Sequence, residues 1–590
     1  MRYKIVFAIF FVFWMVLVGR LYYISVQSNL YYEKLAKANT FKTIPIVPIR
    51  GEIFDTNGKL LAMNQIGFSI SIKPHLKKDS SELTQAIQAL HNAFNDLNQT
   101  VMHNVYTKKN SPYNHKFIKV ADFIPYKDMI GVYPHLSLNE NILIEAEAKR
   151  YYPYGKYVAH VIGYIGHSNQ EENAQDTTVK EVGRIGKSSL EKQYNTHLQG
   201  ELGANVVKVT ATNKEVEIIQ TIPAKENRNL NLFLDIELQK MIYDRFGKSA
   251  GAVVVMKTTG EVLAAVSTPS YDPNIFTTGI SHAQWKELQE DFDRPFTNKF
   301  LNGQYPPGSS IKMGMALAFE MAKPGILNRN EYCKGHIEVG ATNHKFRCWK
   351  SRGHGSVDLR KAIRESCDVY FYNKSLEVGI NNMAKGLRLM GLGVPTGIDL
   401  PHESVGIVPD IEWKMKRYKK SWYLGETVNA SIGQGYTLST PLQMARHTAL
   451  IATSSLPTPL LADIHQQHIE KISLPEEFLP EARKGMYDVC NTPGGTAYNY
   501  MRNLPIVVAG KTGTSQVVGI PKDVKVRMKE EEMDYYHRSH AWLTTYAPYE
   551  KPKIVVTVLV EHGGHGGSAA GPIAADIYKW LHKNGYFDSK

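Results

Sequence analysis

The sequence predicts a mixed α/β protein. It has an N-terminal membrane-spanning helix, an α+β module over 26–228, and a domain over 229–590 whose mainly antiparallel sheet is flanked by helices. Three observations carry this reading. Residues Ile5 to Gly19 contain no charged side chain. From Leu230 the chain runs strand, helix, hairpin and a long helical middle, then returns to strands at 505–511, 541–547 and 553–561. The 590 residues, 43% of them hydrophobic, leave room for roughly three to four cores of ~150 residues each.

The apolar run continues past Arg20 as Leu21-Tyr22-Tyr23-Ile24, which with Arg20 snorkelling gives about 20 residues, enough to cross a bilayer. Arg2 and Lys4 precede it, so the positive-inside rule keeps the N-terminus cytoplasmic. The end of the run is bulky and lacks an Ala-x-Ala-like cleavage site, so an uncleaved anchor over 1–25 is expected, with the rest outside the cytoplasm. Residues 26–45 read as a polar, partly helical stalk. Arg50 to Ala62 alternates and contains Asn57-Gly58, a hairpin signal. Residues 79–97 place Leu83, Ile87, Leu90, Phe94 and Leu97 on one helical face behind a cap at Asp79 to Ser81. The surrounding 65–150 reads as an inserted head subdomain.

Two stretches follow, 150–164 and 183–191. His160 has no partner motif and is expected to be a structural hydrogen-bonder. Gly186-Lys187-Ser188 lacks the first glycine of a phosphate loop, that position being Glu181, so that reading is discarded. A polar turn at 222–229 marks the next boundary. Leu230 to Leu234 reads as a strand, Asp235 caps the following helix, and 251–256 with 261–267 form a hairpin. The formal charge of +13 suits polyanions or an anionic membrane face. It is not read as gathered into Lys/Arg blocks with interleaved aromatics, so a nucleic-acid partner is poorly supported.

Chemistry enters at Tyr305-Pro306-Pro307-Gly308-Ser309-Ser310-Ile311-Lys312 and the apolar run after it. Pro and Gly before an apolar-periodic segment mark a helix start, which puts Ser309 in the first turn and Lys312 one turn on, on the same face. A serine hydroxyl is a weak nucleophile until a base takes its proton. A lysine can be that base only where burial or another cation lowers its pKa. Ser-x-x-Lys alone occurs on many solvated helices. Two later segments give it context. Ser366-Cys367-Asp368 puts a serine and an acid at a turn entering an aromatic helix. Val508 to Ser515 contains Lys511-Thr512-Gly513-Thr514, a strand of small residues where backbone can approach a ligand. Ser366 lies 57 residues after Ser309 and Lys511 a further 145 on. This order resembles the penicillin-binding proteins and serine β-lactamases.

With the anchor, Arg50-Gly51, the 150–163 stretch, Asn429 to Gly435 and Thr440-Pro441-Leu442-Gln443, the resemblance narrows. Over nearly its whole length the chain is similar to class B penicillin-binding proteins of the penicillin-binding protein 2 type. Ser-x-Asp in place of Ser-x-Asn departs from the general pattern and leaves the role of Asp368 open. The resemblance implies a pedestal or dimerisation-like module followed by a penicillin-binding transpeptidase domain. It implies a peptidoglycan D,D-transpeptidase of lateral wall elongation and rod-shape maintenance, with no cofactor for catalysis. Ser309 would attack a D-alanyl-D-alanine stem peptide and Lys312 would take its proton. Ser366 would pass the proton to the leaving D-alanine, helped by Lys511, whose charge lowers the pKa of Lys312. Asp368 belongs to the same site. Thr512, Gly513 and Thr514 would bind substrate, with the Ser309 and Thr514 amides as oxyanion hole, worth ~2.7–4 kcal/mol per donor. A stem-peptide amine would resolve the acyl-enzyme, and β-lactams would acylate the same serine. Implied partners are MreC and a RodA-type SEDS glycosyltransferase, at the inner membrane with the bulk of the chain periplasmic. Two other readings stand beside it: a β-lactam hydrolase or sensor, which needs an extra deacylating base, and a non-catalytic scaffold, which the intact motifs oppose.

Cys333, Cys348, His354 and Cys367 give the spacing C-x14-C-x5-H-x12-C. Three thiolates and an imidazole suit a closed structural zinc site; a disulfide such as Cys333–Cys348 is the rival in an oxidising compartment. Cys490 is expected in the core. His562 and His565 are expected in a Gly-rich loop without metal, and 516–540 as a mobile lid beside the Lys-Thr-Gly strand.

Overall fold

The uncharged N-terminal run forms the helix Arg2–Tyr22, which passes into a π-helical turn at Tyr23–Gln27. At 1.5 Å per residue the 25-residue span Tyr3–Gln27 is about 37 Å long, more than a ~30 Å hydrocarbon core. Among the described residues it is the one helix long and apolar enough to cross a membrane. The structure is a computed structural model and describes residues 2–27, 31, 34, 40–114, 116–210, 215–225, 228–340, 343–517 and 528–588. It divides into two units. The first holds Met1–Gly51, His167–Ile185 and Thr196–Arg228; the second holds Glu52–Gly166, Gly186–Asn195 and Asn229–Lys590.

In the first unit the stalk expected at 26–45 is replaced at its end by a strand. Phe41–Ile46 pairs antiparallel with Gly203–Val209, which pairs in turn with Glu215–Ile222. Thr43, Ile44, Val206 and Val207 supply the β-branched side chains that favour this. Part of the stretch lies outside the described residues. Gly51 is required by close approach, since a Cβ there would lie 2.2 Å from the Arg228 carbonyl oxygen.

The second unit opens with the predicted hairpin, Ile53–Phe54 and Leu60–Ile72. In its turn Asp55 Oδ1 accepts from the amides of Asn57 and Lys59 at 2.9 and 2.7 Å. The long second strand pairs antiparallel with Ile118–Pro125 and Ile142–Tyr151. Helices Ser81–Ala93 and Gln99–Lys109 share a core with this sheet, in which Leu83, Ile87 and Leu90 are buried and Phe94 and Leu97 pack at the edge. The cap is Ser80, whose hydroxyl accepts from the Leu83 amide at 3.3 Å. The two stretches near 150 and 190 interlock. Arg150 Nε donates to Glu191 Oε1 at 2.7 Å with both side chains buried, and the Tyr152 hydroxyl donates to the same oxygen at 3.2 Å. His160 is buried edge-on to Tyr271, and burial pulls its pKa down to about 3, so it is a neutral core residue.

The last part of this unit is a five-stranded antiparallel sheet in the order Val262–Thr268, Gly251–Lys257, Ile554–Val560, His540–Ala547, Ala509–Ser515. The strand expected at 505–511 starts four residues late. Its partner ends at Ala547, and Pro548 has no amide to continue the ladder. That slip carries Lys511, Thr512 and Gly513 into the strand interior and leaves them on the edge of the sheet. Adjacent side chains of the neighbouring strand show helices on both faces. Thr544 shares a hydrogen bond with Thr448 of the buried helix Pro441–Thr453 at 2.6 Å, and Thr545 one with Tyr578 of Gly566–Lys583 at 2.9 Å. The strand expected at 230–234 shortens to Leu230–Asn231, while Asp235 caps Ile236–Phe246 as predicted.

Glu191→Ala leaves the Arg150 guanidinium buried beside a cavity, a change that costs about 3–5 kcal/mol. Equilibrium unfolding in urea should show a loss of that size, and a loss no greater than that of a surface substitution would refute the role given to the pair.

Candidate active site

Ser309 lies in a 3-10 turn, Gly308–Ile311, that runs directly into the helix Lys312–Ala322. The first turn is therefore where the pattern placed it, though tighter than an α-turn. Backbone packs on backbone beneath it. The Gly308 amide donates to the Gly433 carbonyl at 2.9 Å, and a Cβ on Gly433 would lie 2.4 Å from the Gly308 oxygen. A Cβ on Gly513 would lie 2.7 Å from the Pro307 oxygen. Only glycine fits at these two positions.

Lys312 is fully buried. Its Nζ donates to Asp368 Oδ1 at 2.7 Å, to the Ser366 carbonyl at 3.0 Å and to Ser366 Oγ at 3.3 Å. Lys511, also fully buried, donates to Ser366 Oγ at 3.0 Å and to the Thr512 carbonyl at 2.9 Å. Ser366 sits at φ +53° in the turn between Leu359–Arg364 and Asp368–Val378, a left-handed conformation that costs a non-glycine residue of order 1–3 kcal/mol. With both lysines donating to its oxygen, the Ser366 hydroxyl proton is free to be given elsewhere. Ser309 Oγ makes no hydrogen bond among the described residues.

Burial first, and the charge of Lys312 second, push the pKa of Lys511 well below the ordinary lysine value. Lys312 holds a carboxylate partner, Asp368. Burial pushes the Asp368 carboxyl up, opposed by the neighbouring Lys312. Thr512 and Thr514 each have one protein partner for their hydroxyls, Thr496 Oγ1 at 2.6 Å and the Gly566 amide at 3.3 Å, which leaves each a further hydrogen-bonding direction.

The four expected ligands converge. One donor atom from each of Cys333, Cys348, His354 and Cys367 lies within 4.8 Å of every other, and all four residues are buried. All four cysteines of the chain are free thiols, Cys490 buried among them. The cluster touches the site directly. The Asp368 amide donates to Cys348 Sγ at 3.4 Å, and the Trp349 amide donates to Asp368 Oδ2 at 3.0 Å. His562 packs against His540 at 4.7 Å between ring centres, outside any cluster of metal-binding side chains among the described residues. Much of the expected lid, 518–527, falls outside the described residues.

Sequence reasoning missed Trp349, whose Nε1 donates to the Ser366 carbonyl at 3.2 Å, and Thr496. Gln434, within the Asn429 to Gly435 stretch, donates its Nε2 hydrogen to the Thr514 carbonyl at 3.3 Å.

Residues 250–579 match the penicillin-binding protein transpeptidase domain, and residues 45–232 match the penicillin-binding protein dimerisation domain. The chain belongs to the penicillin-binding proteins. A peptidoglycan D,D-transpeptidase MrdA from Haemophilus influenzae is 32% identical over 95% of this chain and 88% of its own. Penicillin-binding protein 2 of Helicobacter pylori, in a complex with MreC, is 41% identical over 93% of this chain and all of its own, with a TM-score of 0.84. A chain of a peptidoglycan synthase complex that coordinates polymerisation and crosslinking is 25% identical, covers 98% of both chains and has a TM-score of 0.72.

In this penicillin-binding protein Lys511, fully buried and beside the charge of Lys312, releases a proton more readily than a solvated lysine. The rate of acylation by penicillin should rise with pH through an apparent value well below the ~10.4 of an ordinary lysine, and fall as Lys511 takes up a proton below it. A pH–rate profile with its ascending limb near 10.4 would contradict this.

Proposed function

We propose that this chain is a serine-type peptidoglycan D,D-transpeptidase that cross-links stem peptides through an acyl-enzyme on Ser309 during lateral wall elongation, and that penicillin acylates the same residue. The observation that carries the residue roles is the Ser366 hydroxyl, which receives Lys511 and also Lys312, itself one turn from the nucleophile. Ser309 Oγ forms the bond to the penultimate D-alanine carbonyl while its proton passes to Lys312 in the unprotonated state. The carbon–nitrogen bond to the terminal D-alanine then breaks, and Ser366 gives its free proton to the departing amine, replenished from the lysines. Asp368 is a positioning residue that holds Lys312 in place. The Ser309 amide lies in the first turn of a helix, where amides have no intrahelical partner. Thr514 lies on the edge strand, where alternate amides face away from the sheet. These two amides serve as the oxyanion hole. The edge strand also offers an extended peptide a place to pair, with Thr512 and Thr514 hydroxyls for its terminal carboxylate.

The cysteine cluster fits zinc. Zinc–sulfur and zinc–nitrogen bonds of ~2.3 and ~2.05 Å in a tetrahedron separate sulfur from nitrogen by about 3.6 Å. His354 Nδ1 lies 3.5 Å from Cys333 Sγ and 3.6 Å from Cys348 Sγ. Cys333, Cys348, His354 and Cys367 would hold the ion, which would neutralise the thiolates and brace the Ser366 turn. We extend the membrane anchor, the periplasmic placement of residues beyond it, and partners of the MreC and RodA-type SEDS class to this chain. The basis is the apolar first helix and the complexes formed by the relatives. The module over 26–228 is read as the pedestal and 229–590 as the transpeptidase domain.

Incubation of the full-length protein with labelled penicillin should give one stable adduct on Ser309, absent from Ser309→Ala; labelling that persists in the variant would sink the assignment. Metal analysis of anaerobically purified protein should find about one zinc per chain. Its removal by a chelator should lower the melting temperature and slow acylation together, whereas zinc-free protein with normal acylation would eliminate the metal.

A further inference from the structure

The helix Ile411–Tyr418 and the turn after it place Lys414, Lys416, Arg417, Lys419 and Lys420 among Trp413, Tyr418, Trp422 and Tyr423. This is a basic block with interleaved aromatics, which the even spread of charge expected from composition overlooks. One of its cations is consumed internally. Lys414 is 2% exposed, donates to both carboxylate oxygens of Glu426 at 2.5 and 2.6 Å, and lies 4.6 Å from the Tyr423 ring centre and 5.7 Å from that of Trp422. That clamp fixes the helix. The other four, Lys416, Arg417, Lys419 and Lys420, are exposed and have no ion-pair partner among the described residues. Nearby acids are engaged, Asp410 with Arg388 at 2.7 Å and Glu426 with Lys414, so Glu412 is the one acid the helix itself carries against them.

The block reaches the motif-bearing elements of the site through Tyr436 and the helix Leu424–Ser431. Rings of Trp413 and Tyr418 each pack 5.3 Å from Tyr436. Two residues earlier, Gln434 donates to the Thr514 carbonyl, and the Gly433 carbonyl accepts from Gly308 beside the nucleophile. The intervening helix Leu424–Ser431 packs on Asp368–Val378, the helix that begins at Asp368. Four uncompensated cations are thus held, by a rigid aromatic mount, next to a site whose substrate is a peptide ending in a carboxylate.

We propose that Lys416, Arg417, Lys419 and Lys420 form a basic lip that binds further free carboxylates of acidic stem peptides, drawing the peptidoglycan strand onto the cleft. The inference rests on the transpeptidase reading and adds to it a recognition surface for substrate charge beyond the D-alanyl-D-alanine terminus. Exposed charge contacts are individually weak and screened by salt, but four acting together steer and retain a polyanionic strand. A β-lactam, small and lacking those carboxylates, gains nothing from the lip.

The test uses the full-length protein in detergent, wild type and the variant Lys416→Gln/Arg417→Gln/Lys419→Gln/Lys420→Gln. The probes are uncross-linked glycan strands whose stems carry their side carboxylates, and matched strands with those carboxylates amidated and the terminal one kept. In the variant, cross-linking of the acidic strands should fall on the order of tenfold at low salt. The deficit should shrink as salt rises, and it should vanish on amidated strands while penicillin acylation is unchanged. An equal loss on acidic and amidated strands, or no loss on either, overturns the lip. So does normal cross-linking with lost binding to vesicles of anionic lipid, which assigns the patch to a membrane. If the fourfold variant fails to acylate, the single variants Lys416→Gln and Lys420→Gln carry the same comparison, each with a partial, salt-sensitive deficit expected. A wild-type protein that does not acylate at all overturns the transpeptidase reading, a failure distinct from that of the lip.

Discussion

A lysine ammonium with no exposed surface cannot stand alone in a protein interior, and the contact that permits Lys312 is the carboxylate of Asp368 at 2.7 Å. Much of the neighbourhood serves that contact. Asp368 opens a helix, where the N-terminal end of the macrodipole favours a negative charge. Its second oxygen takes the Trp349 amide, so the carboxylate is held from two sides. The turn that delivers it puts Ser366 in a left-handed conformation, and the same turn brings the serine hydroxyl to both lysines. Two lysine amines and one buried carboxylate are gathered around the Ser366 hydroxyl. A proton therefore has donors and acceptors within hydrogen-bond reach at the buried end of the site.

The cysteine cluster and the active site are therefore one piece of architecture. Cys367 lies between Ser366 and Asp368 in the chain, and Cys348 accepts from the amide of Asp368. Whatever draws the three sulfurs together also sets where the carboxylate stands. On the opposite wall, the same economy is reached without side chains: Gly308, Gly433 and Gly513 let three segments meet through their backbones.

Motif chemistry was legible in the sequence because it restricts residue type. Ser309, Lys312, Ser366, Asp368 and Lys511 could be picked from spacing, and all but the nucleophile's hydroxyl meet in one hydrogen-bonded group. The three cysteines and His354 were legible for the same reason, as were the hairpin at Asn57-Gly58 and the cap at Asp235. Partnership was not legible. That Lys511 would be fully buried and face the charge of Lys312, which together depress its pKa, is not encoded locally. The strand at 509–515 was set four residues early because Pro548, 33 residues beyond Ser515, decides where the ladder stops. Trp349 and Thr496 act through tertiary approach, with no periodicity or spacing to mark them.

The glycine floor under Ser309 has an evolutionary corollary. Where backbone meets backbone there is no side chain to trim, enlarge or recharge, so antibiotic pressure finds nothing there that it can remodel without dislodging the nucleophile. Side-chain variation that alters the cleft is therefore expected at its rim, where there are side chains to change while the floor stays as it is.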